Sequence, residues 1–524
     1  MALYSAAQQP FITPESLARS IEEFLAESPN AILLEDGLAA FDLGQAKYSF
    51  TSDRGKCLLH IWSAERNAVR RVLDAEMKNG TLRLQVQKFG QAKPHRIEFC
   101  RDHDQHAPSA KKASRAAYQR LLARLLQRES AGSTIEKLST AMDLERSFSP
   151  IYTRCLLRKS RSAWAVLGVN ARETQSSIDA VLTFGLLWLE HCRRQFALKS
   201  VVEGLWLFLP SGTSAVVRSR LAQLDHRTAK FKVYELEERD GILTEFDAAD
   251  SGNIATRLVQ CPNHAAALER FSPSIQRIYE FVPQAEIELV VLTSNEIAFR
   301  LRGLEFARAR VALTLGSFQQ SQEIVFGVGQ YETQLTAENG PFFNGLLQRV
   351  RNSRIPDGGR GDAIWRMHPE RWLESLIVKD VHQFESHLDT GFVYSQVPAF
   401  AAKDRAMIDV LTVSRAGRLA VLELKADEDI HLPLQGLDYW SRMHWHHQRG
   451  EFQRYGYFAG KELSPEPPLL YLVAPVLRIH PATDTLLSYF SPQIDWVLDG
   501  IDERWREGVR TVFRKTRQTL KADG

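Results

Sequence analysis

Three charged side chains recur at short spacing in one stretch of the chain. Asp409 lies in the apolar run 407–413, and Glu423 and Lys425 lie at the end of a second run, 418–424. The SRAG segment between the runs has turn chemistry, which predicts a β-hairpin. Because side chains alternate between the faces of a strand, Glu423 and Lys425 point the same way. The hairpin can bring the carboxylate of Asp409 beside that of Glu423.

This spacing indicates a metal-dependent hydrolytic site. Two adjacent carboxylates repel each other unless a cation neutralises them, and oxygen ligands suit Mg²⁺ or Mn²⁺. Such an ion lowers the pKa of a bound water and polarises a phosphoryl oxygen, so the pattern fits hydrolysis of a phosphodiester. Lys425 would hold the water or the developing charge. The pattern requires no organic cofactor.

A helix predicted over residues 432–447 follows this strand. Pro433 is acceptable in its first turn, and Gln435 and Tyr439 share one face at i, i+4 spacing. That face can meet the charged side chains, where Gln435 and Tyr439 would orient the site or contact DNA. The helix therefore adds two polar groups to the candidate site.

Together, these residues resemble the PD-(D/E)XK nuclease superfamily. The pattern consists of Asp409, then Glu423-Leu424-Lys425, then a Gln-x-x-x-Tyr motif that indicates the RecB-like branch. The segment VLELKADEDIHLPLQGLDYW is particularly similar to the C-terminal nuclease domain of NucS-type endonucleases, which cut branched, flapped or mismatched DNA. The resemblance covers only the last third of the chain.

The resemblance also implies the metal ligands. They would be Asp409, Glu423 and the backbone carbonyl of Leu424, with a further acidic residue from the first helix of the fold. The segment HPERWLESLIVKD supplies this helix, because its proline is a start signal. Glu374 borders the apolar stripe of the helix and is the preferred fourth ligand, and Glu370, one turn earlier, is the fallback.

Three functional interpretations follow. A Glu-x-Lys pattern on an exposed strand is commonly a cross-strand charge pair, but the order of four elements in the sequence favours a nuclease. We expect a Mg²⁺- or Mn²⁺-dependent deoxyribonuclease, more specifically an endonuclease, that acts on single-stranded, branched or mismatched DNA in repair, recombination or defence. By the resemblance, it leaves a 5′-phosphate and a 3′-hydroxyl. A catalytically silent nucleic-acid-binding scaffold and an RNase stay open as alternatives.

The composition sets outer bounds on these interpretations. The 524 residues are 44% hydrophobic and 25% charged, which is typical of soluble globular proteins with about three domains. A net charge of +3 permits nucleic-acid binding without requiring it. Five cysteines without CxxC spacing argue against zinc sites and disulfides, and no Walker motif is present. We expect a cytoplasmic protein with no membrane partner, and the sequence admits a homodimer.

The element pattern predicts an α+β multidomain chain. A β-rich domain covers 1–105, an α/β domain covers 115–260, and a β-containing connecting domain covers 261–350. The α/β domain resembles the nuclease fold in outline, which admits a degenerate nuclease-like unit, although it contains no D…ExK set. A restriction-endonuclease-like α/β domain covers 363–524, and a basic amphipathic helix is predicted at 504–521.

Overall fold

The structure is a computed structural model of a mixed α/β, multidomain chain. It describes residues 13–28, 31–35, 38–43, 46–53, 56–62, 67–78, 81–88, 94–100, 108–143, 145–251, 256–313, 320–328, 332–359, 361–401 and 404–522. The chain folds into two compact units. One comprises Met1–Ala117 with Gly329–Tyr331, and the other comprises Tyr118–Val328 with Glu332–Gly524.

The first unit contains an antiparallel sheet and a leading helix. Helix α1 covers Pro14–Glu27, and the side chain of Thr13 caps it by accepting the N–H of Ser16. The strands are β1 (Ile32–Glu35), β2 (Leu38–Asp42), β3 (Lys47–Asp53), β4 (Lys56–Trp62), β5 (Asn67–Lys78), β6 (Thr81–Lys88) and β7 (His95–Cys100). Their order in the sheet is β2-β1-β7-β6-β5-β4-β3. Ile21 and Phe24 of α1 lie in the core of this unit.

Helix α2 covers Pro108–Glu129 and crosses the boundary between the two units. Its first residues, 108–114, occupy positions between the predicted domains 1–105 and 115–260. Residues 101–107 lie outside the described part of the chain. The helix continues into the second unit, where Leu122 and Leu126 are buried against the second sheet.

The second sheet combines parallel and antiparallel strands. These are β8 (Thr134–Ser139), β9 (Tyr152–Lys159), β10 (Ser162–Val169), β11 (Val201–Pro210), β12 (Lys230–Glu237) and β13 (Ile242–Phe246). They lie in the order β13-β12-β11-β10-β9-β8, with β10, β11 and β12 parallel. The connecting helices are α3 (Gln175–Asp179), α4 (Val181–Phe196) and α5 (Ala215–Leu221). Helix α4 packs on the sheet face opposite α2.

An antiparallel meander follows in the connecting region. The short strand β14 (Thr256–Leu258) joins the third sheet instead. The meander and its helices are α6 (His264–Arg270), α7 (Ser272–Tyr279), β15 (Glu288–Thr293), β16 (Glu296–Leu301), β17 (Leu304–Leu313), β18 (Gln320–Phe326), β19 (Thr333–Gln334) and α8 (Gly340–Ser353). Phe299, Phe306 and Phe343 lie in its core.

The third sheet carries the predicted site. Its elements are α9 (Ala363–Arg366), α10 (Pro369–Lys379), α11 (Val381–Phe384), β20 (Leu388–Ala401), β21 (Asp404–Ser414), β22 (Leu419–Leu424), α12 (Leu432–Gln448), α13 (Glu451–Arg454), β23 (Leu469–Pro475), α14 (Thr483–Ser488), β24 (Trp496–Ile501), β25 (Thr511–Thr516) and α15 (Arg517–Ala522). The order is β14-β20-β21-β22-β23-β24-β25, with β22, β23 and β24 parallel.

The predicted basic helix over 504–521 is wrong for most of its length. Thr511–Thr516 forms the edge strand β25, and only Arg517–Ala522 is helical. The β-branched residues of this segment favour a strand. In addition, Arg514 donates to both carboxylate oxygens of the fully buried Asp499 on β24, at 2.6 and 2.9 Å. A buried carboxylate needs such a partner, so tertiary pairing overrides the helical pattern.

One hydrophobic core joins the second and third sheets. It contains side chains of α4 and α12 together with strand residues of both sheets. Leu224 and Phe490, which follow α5 and α14, form an antiparallel β-bridge. The helices α4, α5, α12 and α14 therefore lie in a layer between the two sheets. None of the helices in the described part of the chain has both the length and the apolar character needed to cross a membrane.

Candidate active site

The predicted hairpin is confirmed, and it fixes the position of Asp409. Strands β21 and β22 pair in an antiparallel ladder whose last residue pair is Val410 with Leu422. Beyond that pair, Asp409 Oδ2 accepts the backbone N–H of Leu424 at 2.9 Å. Gly417 allows the turn, because its φ is +88° and a Cβ would lie 2.4 Å from a backbone oxygen. The Asp409 carboxylate is thereby held at the end of β22.

Glu423 and Lys425 lie next to each other at this strand end. The Glu423 side chain is 1% exposed, and Lys425 Nζ lies 3.2 Å from its Oε1 and 3.6 Å from Asp429 Oδ2. The backbone N–H of Lys425 donates to the Val473 carbonyl at 2.9 Å, so Lys425 stays in the register of the sheet. Sequence analysis did not identify Asp429, which positions the ammonium group.

Burial dominates the electrostatics of these groups. It raises the pKa of Glu423 well above its ordinary value, and the nearby charge of Asp409 adds to the effect. Burial also raises the pKa of Asp409, against the opposing bond from Leu424 N–H. For Lys425, burial acts against the ammonium, but Glu423 and Asp429 outweigh it and raise the pKa. A carboxylate pair in this setting favours a cationic partner.

One oxygen of this site lacks a protein partner. Within the described residues, Glu423 Oε2 is buried and makes no hydrogen bond. Buried polar atoms are nearly always paired, because leaving one unpaired costs about 1–3 kcal/mol. This atom therefore marks a place where an external donor or cation would be stabilising.

Helix α10 brings Glu374 to the same region. Pro369 stands in its first turn, and Trp372 and Leu373 are buried beneath it. The Glu374 side chain is also buried, and it contacts Arg371 Nη1 at 3.4 Å. Burial raises the pKa of Glu374 to about 8, with Arg371 opposing the shift and Asp409 adding to it. The fallback residue Glu370 is only partly buried.

Gln396 is a site residue that sequence analysis missed. On β20, Ser395 pairs with Val410 and Val397 pairs with Ile408, so Gln396 lies opposite Asp409. Its φ of 54° is left-handed, which is uncommon for a residue other than glycine. The buried side-chain amide donates to Glu374 Oε2. Strand periodicity contains no signal for such a conformation.

Helix α12 carries Gln435 and Tyr439 one turn apart, and Tyr439 lies near enough to Glu423 and Asp409 for their charges to act on its hydroxyl. Gln435 Nε2 donates to Tyr439 Oη at 3.4 Å. Burial, followed by the charge of Glu423, raises the pKa of Tyr439, so its hydroxyl keeps its proton. Gly436 allows the close approach of the helix, because a Cβ there would lie 2.5 Å from Leu472 Cδ2.

A cavity of about 1250 Å³ adjoins the site. Glu374 and Gln396 line it on one side, and several arginines contribute to the lining: Arg300, Arg302, Arg308 and Arg371. Asp409 and Glu423 do not line it. The lining also contains Glu286, Glu288 and Glu305, and Arg308 pairs with Glu305 at 2.7 Å. Guanidinium groups bind phosphate oxygens well, but part of the positive charge of this cavity is already neutralised by carboxylates.

The oxygen donors fit a hard divalent cation, although they are turned toward protein partners. In the described ranges, no group of three or more His, Cys, Asp or Glu side chains is placed to hold a metal ion. Asp409 instead faces the Leu424 N–H, and Glu423 faces Lys425. The N–H and C=O of a strand residue share one edge, so the Leu424 carbonyl lies on the edge that Asp409 occupies. The Asp409 carboxylate, the Leu424 carbonyl and Glu423 Oε2 are therefore potential ligands that are all oxygen atoms.

Comparison of the chain with protein-family models, with curated proteins and with solved structures finds no significant match.

Proposed function

We propose that the chain is a Mg²⁺- or Mn²⁺-dependent endonuclease that hydrolyses phosphodiester bonds in DNA. The observation that carries this proposal is the buried, unpaired Oε2 of Glu423 beside Asp409 and Lys425. A charge pair on a solvated strand face would be exposed and would leave no orphaned oxygen. Burying two carboxylates together costs several kcal/mol unless a cation compensates them. A divalent ion supplies that compensation.

The order of the structural elements supports the same conclusion. Helix α10 carries Glu374, β21 carries Asp409, β22 carries Glu423 and Lys425 next to it, and α12 carries the Gln-x-x-x-Tyr motif. This is the order that the resemblance to PD-(D/E)XK nucleases implies. The arrangement of one helix, three antiparallel strands, one helix and a parallel strand fits that fold.

The residues divide the work between metal binding and orientation. Asp409, Glu423 and the Leu424 carbonyl would hold the ion, and Glu374 would complete the carboxylate set. A bound divalent ion supplies an acidified water and a polarised phosphoryl oxygen. Lys425 holds the water or the developing negative charge, and Asp429 fixes the position of its ammonium group.

Further polar groups orient the site. Tyr439 keeps its proton, so its hydroxyl can donate to the substrate while its oxygen accepts a hydrogen bond from Gln435. Gln396 holds Glu374 through its amide. We take the substrate to be single-stranded, branched or mismatched DNA selected by the upstream domains, with arginines of the cavity such as Arg300 and Arg302 contacting its phosphates.

Cleavage assays with matched variants test the proposal. Labelled single-stranded, duplex, flapped and mismatched DNA, together with RNA, are incubated with Mg²⁺, Mn²⁺ or EDTA. Asp409→Asn keeps an acceptor for the Leu424 N–H but removes the charge, and Lys425→Ala removes the ammonium. Each change should lower the rate by at least about 10²-fold. The control is Lys461→Ala, because Lys461 pairs with Asp389 at 2.8 Å elsewhere in the same domain.

The outcomes separate the three interpretations. Metal-dependent DNA cutting that both site variants abolish and the control retains supports the nuclease. Cutting that survives both site variants contradicts the site assignment. Cleavage of RNA alone would favour the RNase, and tight DNA binding that is indifferent to Mg²⁺ and to Lys425→Ala would favour the silent scaffold.

A further inference from the structure

The second and third sheets are built in the same way. With the short helices α3, α11 and α13 left aside, the second sheet follows the series α2-β8-β9-β10-α4-β11-α5-β12-β13, and the third sheet follows α10-β20-β21-β22-α12-β23-α14-β24-β25. The third sheet has β14 as an additional edge strand. In each series the first three strands are antiparallel, β8-β9-β10 and β20-β21-β22. The third of them also begins a parallel group, β10-β11-β12 and β22-β23-β24, and a last antiparallel strand forms the edge of the sheet. Each element of one series has a counterpart in the other.

The strand registers give a residue-by-residue alignment. The last pair of the β10–β11 ladder is Gly168 with Phe208, and that of β22–β23 is Leu424 with Val473. Two residues beyond Phe208 and Val473, both strands end in a proline. These prolines pair with the next strand in the same way: Pro210 with Leu236, and Pro475 with Ile501. The two ladders therefore agree over two strand pairs.

The helices between these strands agree independently. Gly185 in α4 allows a close approach to β11, because a Cβ there would lie 2.9 Å from Leu205 Cδ2 and 3.0 Å from Leu207 Cδ2. Gly436 in α12 takes the same role against β23, where a Cβ would lie 2.5 Å from Leu472 Cδ2. The strand alignment pairs Leu207 with Leu472, so the two glycines occupy equivalent positions.

The second sheet lacks the charged groups of the candidate site. At the three site positions the alignment places Arg154 for Asp409, Leu167 for Glu423 and Val169 for Lys425. Arg154 is 4% exposed and donates to the Ser149 carbonyl at 2.9 Å. A guanidinium and two apolar side chains cannot bind a divalent cation, so this unit cannot perform the same hydrolysis.

The second sheet with its helices and the third sheet with its helices pack like subunits of a symmetric dimer. Helix α4 contacts α14, and α12 contacts α5, and these two contacts exchange under the alignment. Leu224 follows α5 and Phe490 follows α14, so the bridge between them joins corresponding segments of the two sheets. The Asp225 N–H donates to the Tyr489 carbonyl at 2.8 Å, and the Ser491 N–H donates to the Gln223 carbonyl at 2.9 Å. Such exchange is the property of an isologous interface.

We infer that the α/β unit from Tyr118 to Phe246 is a silent second subunit fused into the chain, and that the protein therefore nicks one strand of a branched or mismatched duplex per encounter. This inference rests on the proposed function. A symmetric pair of active subunits presents two sites, one to each strand, whereas this pair presents one. In the single step, the water releases one proton and its oxygen bonds to phosphorus, the bond from phosphorus to O3′ breaks, and the leaving O3′ takes up a proton.

The same packing accounts for assembly. The surface of the nuclease domain formed by α12 and α14 is already covered by α4 and α5. A second copy of the chain cannot use that surface, so one chain suffices to build the paired architecture. We therefore expect the monomer to be the acting species.

The test uses supercoiled plasmid that carries one mismatched or branched site and the full-length protein at a concentration below that of the plasmid, with Mn²⁺ or Mg²⁺. We expect nicked circles to be the first product, with linear DNA appearing only after nicks accumulate. Light scattering in EDTA and on a duplex oligonucleotide should give the mass of one chain. Asp409→Asn provides the zero-activity reference.

Two results would overturn the inference alone. These are linear DNA as the first product, abolished by Asp409→Asn, or a mass of two chains on the duplex while cleavage persists. In both cases the proposed function would stand. The absence of metal-dependent cleavage of every substrate form would overturn the inference together with the proposed function.

Discussion

Replacing Glu374 by glutamine should stabilise the metal-free protein at neutral pH. Burial raises the pKa of this carboxyl from 4.5 to about 8. Between these values the unfolded chain releases the proton, whereas the folded protein keeps it. Ionisation therefore favours unfolding, and the stability of the wild type falls as the pH rises from 4.5 to 8. A glutamine has no proton to release and keeps its amide within reach of Gln396.

The expected gain can be worked out from the same shift. A pH of 7 lies about 2.5 units above the pKa of the unfolded carboxyl, and each unit corresponds to about 1.4 kcal/mol, which gives about 3.5 kcal/mol. Relaxation of the buried site reduces this, so we expect a gain of about 1–3 kcal/mol. The gain should vanish below pH 4.5 and be greatest above pH 8.

Urea unfolding in EDTA at several pH values measures this difference. Tryptophan fluorescence is a suitable signal, because Trp372 lies on the same helix. Glu370→Gln is the matched control, one turn earlier and less buried, and should show a smaller gain. Mg²⁺ should reduce the difference in stability between Glu374→Gln and the wild type, because an ion bound to the carboxylates stabilises the wild type. The reasoning fails if Glu374→Gln gives no gain at pH 8, or the same gain at pH 4.5.

Two further predictions concern packing. Arg220→Ala breaks an ion pair with Asp438 of α12, in which Arg220 donates two hydrogen bonds of 3.0 and 2.7 Å. The two side chains are only 11% and 13% exposed. The substitution should cost about 2 kcal/mol in urea unfolding, whereas Arg227→Ala, which removes an exposed ion pair with Asp225, should cost much less; equal costs would contradict the role of burial. Gly436→Ala should lower the melting temperature, because overpacking against Leu472 at about 1–3 kcal/mol outweighs a helix gain of about 1. Gly345→Ala, with open space around it, should raise the melting temperature instead, and the same sign for both would refute the clash.

Local patterns were sufficient for the elements that carry the site. The apolar runs at 407–413 and 418–424 form the predicted hairpin, and Pro369 begins the predicted helix. Glu374 was preferred because it borders the apolar stripe of that helix, and the structure buries it. Alternation and helical spacing are short-range properties, so a single sequence contains them.

The residues that were missed depend on contacts across the fold. Gln396 reaches Glu374 only because its backbone is left-handed, and no residue type signals this. Asp429 binds Lys425 from a loop, where spacing predicts no direction. The terminal segment has a helical pattern, yet the buried Asp499 recruits Arg514 and extends the sheet. In each case a distant partner decides the local structure.

The helical layer between the second and third sheets also constrains how the chain is synthesised. About 210 residues separate the end of α5 from the start of α12. At roughly 5–20 residues per second, translation of that interval takes roughly 10–40 s. Throughout that interval the nascent chain has completed α4 and α5 but not the helices that cover them. The growing polypeptide therefore exposes the apolar surface of α4 and α5, which ribosome-associated chaperones would have to shield until the last third of the chain emerges.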